Sequence, residues 1–156
     1  MNLTYAVEKL ETIIPEVMRL WKMHWDETEA YRELQGYNPD LPQFIRLDRM
    51  DAFREYTARD ESGKLVGHLG YILHTSRHTG HKAASEDFFY LVPEHRKGMN
   101  AMKLLRFAVE QLKQEKCAEI GMSSKLTNEI EPLLKRAGFN CVAKYYMMNV
   151  AENLET

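Results

Sequence analysis

A strand pattern, a basic turn and a helical pattern follow one another between residues 85 and 112, and this succession constrains the fold more than any other feature. Residues 88–92 are apolar, and the turn at 93–101 contains Arg96 and Lys97. Cations at the start of a helix are mildly unfavourable unless an anion binds there. The turn therefore either binds an anion such as a pyrophosphate or forms a solvated basic surface. One buried helix face is predicted by the apolar spacing of Ala101, Leu104, Leu105, Ala108 and Leu112.

Length and composition favour one globular domain. The chain has 156 residues, of which 44% are apolar and 28% are charged, values that argue against disordered, collagen-like and membrane classes. The apolar runs are shorter than the ~20 residues needed to cross a bilayer. Residues 1–10 lack the basic start and long apolar region of a secretory signal, so we expect a cytoplasmic protein. We predict a domain over 1–150 and a loose tail over 151–156.

The net charge and the positions of the cysteines and histidines indicate which partners and metal sites the chain can have. With 21 basic and 23 acidic residues the net charge is −2, which argues against nucleic acid and anionic membrane as partners. Cys117 and Cys141 lie in apolar stretches and are predicted to be reduced core thiols. His74, His78 and His81 share a polar loop without cysteine or paired acidic ligands. We predict that this loop faces substrate and that the protein has no metal site.

The residue pattern along the chain predicts a mixed α/β (α+β) fold. Asp40 before Leu41-Pro42 is typical of a helix N-cap, and residues 60–63 have hairpin-turn chemistry. The order β-α-α-β-β-β-α-β-α-β combines an antiparallel first half with a later βαβ unit. We expect a central mixed sheet of six to seven strands flanked by about four helices. The strands are predicted near 3–7, 52–59, 64–74, 85–92, 118–123 and 140–150, and the helices near 13–31, 43–50, 102–112 and 130–137.

These motifs together resemble the GNAT superfamily of acyl-CoA-dependent N-acyltransferases. The resemblance covers nearly the whole chain and is carried by Pro-Glu-His-Arg at 93–96, by Leu104-Leu105 and by the run 133–139 ending in Gly-Phe. Within the superfamily, the His24-Trp25 helix, the strand around Gly67 and the run 86–96 most resemble small acetyltransferases encoded by phages and prophages. The implied fold is a single GNAT-like domain.

The resemblance also implies a site for the donor cofactor, acetyl-CoA. The family motif Arg/Gln-x-x-Gly-x-Gly/Ala, whose backbone amides hold the CoA pyrophosphate, corresponds here to Arg96, Lys97, Gly98, Met99, Asn100 and Ala101. Met99 stands where glycine is usual, and the glycine has moved to Gly98, which changes the expected loop shape. The pantetheine arm would pair with the main chain of Tyr90, Leu91 and Val92. Asn128 could contact the cofactor or cap a helix.

Catalytic candidates lie where the fourth strand enters this site. Glu86 and Asp87 are candidate general bases, with Glu86 favoured and His81 as the fallback; alternatively both carboxylates only bind the substrate cation or cap a loop. The family's usual tyrosine acid is replaced by Leu134. Tyr145, Tyr146 and Tyr90 are candidate replacements, and each could equally be a packing residue.

The resemblance implies an acetyl-CoA-dependent N-acetyltransferase that works by direct attack in a ternary complex. The acceptor would be an amine on a small molecule or on a protein, and a homodimer is an open alternative to a monomer. Two other functions stay open. One is a catalytically degenerate module that binds CoA or a host protein, which Leu134 and Met99 favour. The other is structural oligomerisation without CoA binding.

Overall fold

The computed structural model describes residues 2–150, so the predicted tail at 151–156 lies outside the described residues. Two short 3₁₀ turns, Ala30–Arg32 and Pro93–His95, interrupt the longer elements. The strands are β1 Thr4–Glu8, β2 Phe53–Arg59, β3 Leu65–Thr75, β4 Lys82–Leu91 and β5 Glu119–Gly121. The helices are α1 Leu10–Thr28, α2 Leu41–Arg49, α3 Asn100–Gln114 and α4 Glu131–Arg136.

The strands form one mixed sheet in the order β1-β2-β3-β4-β5. The first four strands pair antiparallel with their neighbours, whereas β4 and β5 are parallel and joined through α3. The predicted antiparallel half and the later βαβ unit are therefore confirmed.

Local sequence signals set several of these boundaries. The Asp40 carboxylate accepts a hydrogen bond from the Gln43 N–H at 3.0 Å and caps α2, as the sequence predicted. The β2–β3 turn closes through Gly63 N–H to Asp60 C=O at 2.9 Å. Gly63 has φ +82°, a conformation that glycine adopts without steric penalty.

The sheet buries a separate hydrophobic cluster on each face. Leu104, Leu105, Ala108 and Leu112 of α3 pack with Tyr56 and Tyr71 on one face. α1 and α2 cover the other face, where Leu20 and Trp21 pack near Phe53 and Phe88. The face covered by α1 and α2 also carries a pocket.

The predicted final strand at 140–150 is wrong for the described residues, and the described sheet has five strands rather than six or seven. Val142 is 93% exposed and Tyr145 is 86% exposed. An alternating pattern predicts an extended conformation but supplies no pairing partner. The sheet edge formed by β5 is only three residues long, so it offers few main-chain groups for pairing with a sixth strand.

Both cysteines are free. Cys117 is half-buried as part of the α3 face, whereas Cys141 is exposed, so the prediction of a core position is wrong for Cys141. None of the helices within residues 2–150 is long and apolar enough to cross a membrane.

Candidate active site

The parallel pair β4 and β5 separates after a few residues and leaves an opening in the sheet. Their pairing covers only Ala83–Ser85 of β4 and Glu119–Gly121 of β5. Just beyond it, the Glu86 carboxylate accepts hydrogen bonds from Ser123 N–H at 3.2 Å and from Ser123 Oγ at 2.9 Å. Glu86 thus bridges the two diverging segments at the start of the opening.

Main-chain groups of β4 face this opening. Val92 N–H donates to Val66 C=O at 2.9 Å, so it points towards β3. Alternation in an antiparallel ladder then directs the main-chain groups of Phe89 and Leu91 away from β3. The Leu91 carbonyl accepts a hydrogen bond from Arg96 Nε at 2.7 Å on that side. Of the three predicted pantetheine partners, Leu91 has its main chain on the open side. The main chain of Phe89, which the sequence did not single out, lies on the same side.

A β-bulge in β4 places two consecutive side chains on the same face. Gly70 pairs with Phe88 and Tyr71 pairs with Glu86, which leaves Asp87 without a partner on β3. A bulge inserts one residue and reverses the alternation beyond it. Asp87 and Phe88 consequently both line the pocket under α1 and α2. The sequence predicted that alternation would bring one carboxylate to the cleft, and the bulge determines that it is Asp87.

The pocket on this face has a volume of about 400 Å³. Its walls come from α1, from the segment between α1 and α2, and from β4. The lining residues are Trp21, His24, Trp25, Glu29, Arg32, Gln35, Gly36, Tyr37, Asn38, Pro39, Phe44, Asp87 and Phe88.

The two adjacent carboxylates differ in their surroundings. Desolvation raises the pKa of Glu86 above its ordinary value, although the hydrogen bonds from Ser123 oppose this effect. Asp87 opens into the pocket, yet surrounding protein raises its pKa by desolvation while Lys125 partly opposes the rise. Among the described residues Asp87 makes neither a hydrogen bond nor an ion pair, so its oxygens are available to a ligand.

The basic turn leads into α3 with a geometry that suits an anion. Gly98 has φ +69° and open space where a Cβ would stand. α3 begins at Asn100, and its first N–H groups have no preceding helical turn of carbonyls to bind. Within residues 2–150 no side chain caps this end of the helix either. Those N–H groups and the helix dipole favour a phosphate. The residues present therefore fit the CoA pyrophosphate despite the displaced glycine.

Arg96 itself is held by α1, which the sequence did not indicate. Its guanidinium donates to Glu27 Oε1 at 2.5 Å and to Oε2 at 2.7 Å. It also lies 5.2 Å from the centre of the Tyr90 ring. The hydrogen bond from Arg96 lowers the pKa of Glu27. The predicted pyrophosphate ligand thus already has an anionic partner, 69 positions away in sequence.

A second ion pair, which is partly buried, lies between the pocket and the segment after β5. Lys125 pairs with Glu29 and lies 3.5 Å from His24 Nε2. Burial, aided by the charge of Lys125, lowers the pKa of His24 to about 3. His24 is therefore neutral at physiological pH and stacks on Tyr90 with 5.5 Å between ring centres. The structure therefore pairs both Glu27 and Glu29 of this region with a cation.

The remaining predicted residues occupy other positions. Tyr145 lies in the exposed segment 140–150, and the Tyr90 hydroxyl donates to Glu27 at 3.1 Å. Asn128 lies in a turn, where its N–H donates to Lys125 C=O at 3.0 Å, and Ile130 rather than Asn128 precedes α4. His81 is exposed at the end of the loop before β4. The roles proposed for these residues stay predictions.

The structure also contains a buried polar pair that the sequence analysis missed. Glu55 Oε1 and His68 Nδ1 are 2.8 Å apart on β2 and β3, and both side chains are fully buried. Desolvation raises the pKa of Glu55. Little in the sequence indicated this pair, because β2 also carries Arg54 and Arg59 and His68 is one of two histidines in β3.

A sequence model of the acetyltransferase (GNAT) family matches residues 17–139, which include the opening, the bulge, the pocket and the basic turn. The chain belongs to the GNAT acetyltransferase family. It is an acetyltransferase of this family, and acetyl-CoA is its acetyl donor. A search of curated protein sequences found no match.

Solved structures of GNAT enzymes share the fold. A ribosomal-protein-alanine N-acetyltransferase from Brucella melitensis biovar Abortus 2308 has 17% identity and a TM-score of 0.69, covering 94% of this chain and 99% of that one. An aminoglycoside acetyltransferase from an uncultured soil metagenomic sample has 16% identity and a TM-score of 0.74, covering 96% and 99%. AAC(6')-Iy, bound to the bisubstrate analog CoA-S-monomethyl-acetylneamine, has 13% identity and a TM-score of 0.73, covering 96% and 98%.

Proposed function

We propose that the protein transfers the acetyl group of acetyl-CoA directly to an amine bound in the pocket beside Asp87. The observation that supports this proposal most strongly is the position of β4. Its bulge presents an unpaired carboxylate to the pocket on one face, while its main chain borders the opening towards β5. Donor and acceptor would therefore meet across a single strand.

The donor side would be bound by the opening and the basic turn. The N-terminus of α3 and the Gly98 turn would hold the pyrophosphate, with Arg96 and Lys97 adding positive charge. The main chain of Phe89 and the N–H of Leu91 would hold the pantetheine arm, because the Leu91 carbonyl already accepts a hydrogen bond from Arg96. When bound, acetyl-CoA supplies an activated thioester. A β4 N–H pointing into the opening can donate to the carbonyl oxygen as negative charge develops there.

The acceptor side requires an ammonium ion to bind and then lose a proton. Asp87 can hold the ammonium by a charge-assisted hydrogen bond. Its raised pKa also makes it a better base than an ordinary aspartate. We assign Glu86 the separate task of fixing the width of the opening through Ser123. The described residues that line the pocket include no cysteine or serine, which favours direct attack over a covalent enzyme intermediate.

The raised pKa of Asp87 predicts a specific pH dependence. Asp87 must be ionised to accept a proton, so kcat/KM should fall as the pH decreases through the pKa of Asp87. This acidic limb should lie above the ordinary aspartate range near 3.8. Asp87→Asn should remove the limb and lower the rate at neutral pH, whereas Asp26→Asn should keep it. An unchanged limb in Asp87→Asn would assign it to another group.

The proposal is tested by incubating the protein with acetyl-CoA and a panel of amines, including a peptide with a free N-terminus and a lysine. CoA release is followed with a thiol reagent and the acetylated product by mass spectrometry. We expect at least one amine to give both signals in equal amounts. CoA binding without turnover on any amine would instead favour the degenerate CoA-binding module.

A further inference from the structure

The acceptor pocket is built from aromatic rings that contact one another around its floor. Trp21 lies 4.9 Å from Phe44 and 5.2 Å from Phe88 between ring centres. Trp25 lies 5.6 Å from Tyr37 at the outer wall. Aromatic rings prefer tilted or offset contacts at these separations. A flat aromatic group entering the pocket would therefore extend an existing cluster.

Among the described residues that line the pocket, one carboxylate, that of Asp87, is not paired with a cation. Glu29 is already paired with Lys125 and with Arg32, whose Nε lies 3.0 Å from the Glu29 carboxylate. Asp87 has no such partner among residues 2–150. A ligand with a single ammonium would neutralise Asp87, whereas a second ammonium would meet the guanidinium of Arg32. This arrangement discriminates against polycations through repulsion.

Two wall groups are also unsatisfied. Trp21 Nε1 and the Tyr37 hydroxyl are buried and have no hydrogen-bond partner in the part of the chain that the structure describes. Buried polar groups normally have a partner. A polar substituent on a bound ring is one group that can supply it.

From these observations we propose that the acceptor is a primary monoamine carried on a flat aromatic group by a short aliphatic linker. The ammonium binds Asp87 and the ring packs among Trp25, Tyr37 and Phe44. The inference rests on the proposed function, because it names the substrate class of the same site. A monoamine of this kind differs from the polycationic aminoglycosides that are named with some structural neighbours.

Binding is measured first, by calorimetry with 2-phenylethylamine in the absence of acetyl-CoA. Butylamine keeps the ammonium and removes the ring, and spermidine adds further ammonium groups. We expect 2-phenylethylamine to bind about 10- to 100-fold more tightly than butylamine, the range that burial of one aromatic ring supports. Spermidine should bind more weakly than 2-phenylethylamine. Equal or tighter binding of either comparator would overturn the inference.

Matched variants test the two halves of the pocket. Asp87→Asn should weaken 2-phenylethylamine binding about 10- to 100-fold, as expected for the loss of a charged hydrogen-bond partner, and Asp26→Asn should not. Trp25→Leu should reduce the preference for 2-phenylethylamine over butylamine. Phe107→Leu, in the cluster on the α3 face of the sheet, should preserve it. Circular dichroism checks that each variant is folded. A preference unchanged in folded Trp25→Leu would contradict the assignment of the ring site.

Turnover separates this inference from the proposed function. If 2-phenylethylamine binds selectively but no amine is acetylated, the proposed function fails and the pocket assignment stands. If amines are acetylated with butylamine or spermidine preferred in kcat/KM, the function stands and the inferred substrate class fails.

Discussion

The ion pair between Glu27 and Arg96 should compete with the cofactor for the Arg96 guanidinium. Both guanidinium nitrogens Nη1 and Nη2 donate to Glu27, and the carboxylate places a negative charge beside the proposed pyrophosphate site. Glu27→Gln removes this charge while it keeps a carbonyl oxygen that can still accept from Tyr90 or Arg96. We therefore expect Glu27→Gln to bind CoA more tightly than the wild type.

The magnitude follows from the exposure and geometry of the pair. The side chains of Arg96 and Glu27 are 37% and 33% exposed, so solvent screens their attraction. Exposed ion pairs contribute about 0.2–1 kcal/mol to stability, and the bidentate geometry of this pair favours the upper half of that range. Releasing Arg96 should thus lower the Kd for CoA about 2- to 5-fold. The free energy of unfolding should fall by a similar amount.

Calorimetric titration with CoA at fixed, low ionic strength measures the effect. Asp26→Asn is the matched control, because it removes the same charge from the neighbouring position of α1, where Asp26 pairs with Lys22. When Arg96→Ala is already present, adding Glu27→Gln should increase the affinity for CoA no more than adding Asp26→Asn does. A Kd for Glu27→Gln equal to or above that of Asp26→Asn would refute the competition, and Arg96 would then only tie the turn to α1.

Three further predictions concern the framework around the site. Gly70→Ala should lower the free energy of unfolding by about 1–3 kcal/mol in urea titrations, because the added Cβ would overlap the ring of Phe88; an unchanged midpoint would contradict this packing. Glu55→Ala should lower the free energy of unfolding by about 3–5 kcal/mol, because it leaves buried His68 without its partner. Glu55→Gln should lower it less, because glutamine keeps an oxygen that can hydrogen-bond. Equal losses of stability in the two variants would argue against the pair. His24 has a pKa lowered to about 3, so its imidazole NMR signals should stay constant from pH 5 to pH 8, and a titration midpoint in that range would disprove its burial as a neutral group.

Much of the fold could be predicted from local patterns. The Asp40 cap, the turn before Gly63 and the buried stripe of α3 depend on residues close in sequence, and the structure confirms them. The segment 140–150 shows the limit of such patterns, since strand pairing depends on a neighbour that alternation does not specify. The phage-type resemblance stays a prediction.

The site was predictable as a region but not as a set of contacts. The family motif indicated the basic turn, and the position of the fourth strand indicated the two carboxylates as candidates. The bulge that turns Asp87 into the pocket depends on the register between β3 and β4, which sequence alone does not fix. The pairing of Arg96 with Glu27 and of Glu29 with Lys125 joins residues far apart in the chain. Such partners become visible only when the helices are packed on the sheet.

The central claim is direct acetyl transfer between a donor in the β4–β5 opening and an amine beside Asp87. Initial-rate kinetics with acetyl-CoA and 2-phenylethylamine, or with another amine that the panel identifies, test it most directly. We predict intersecting double-reciprocal lines and one CoA released for each N-acetylated amine formed. Parallel lines with an acetylated enzyme intermediate, or CoA release without an acetylated amine, would contradict the account.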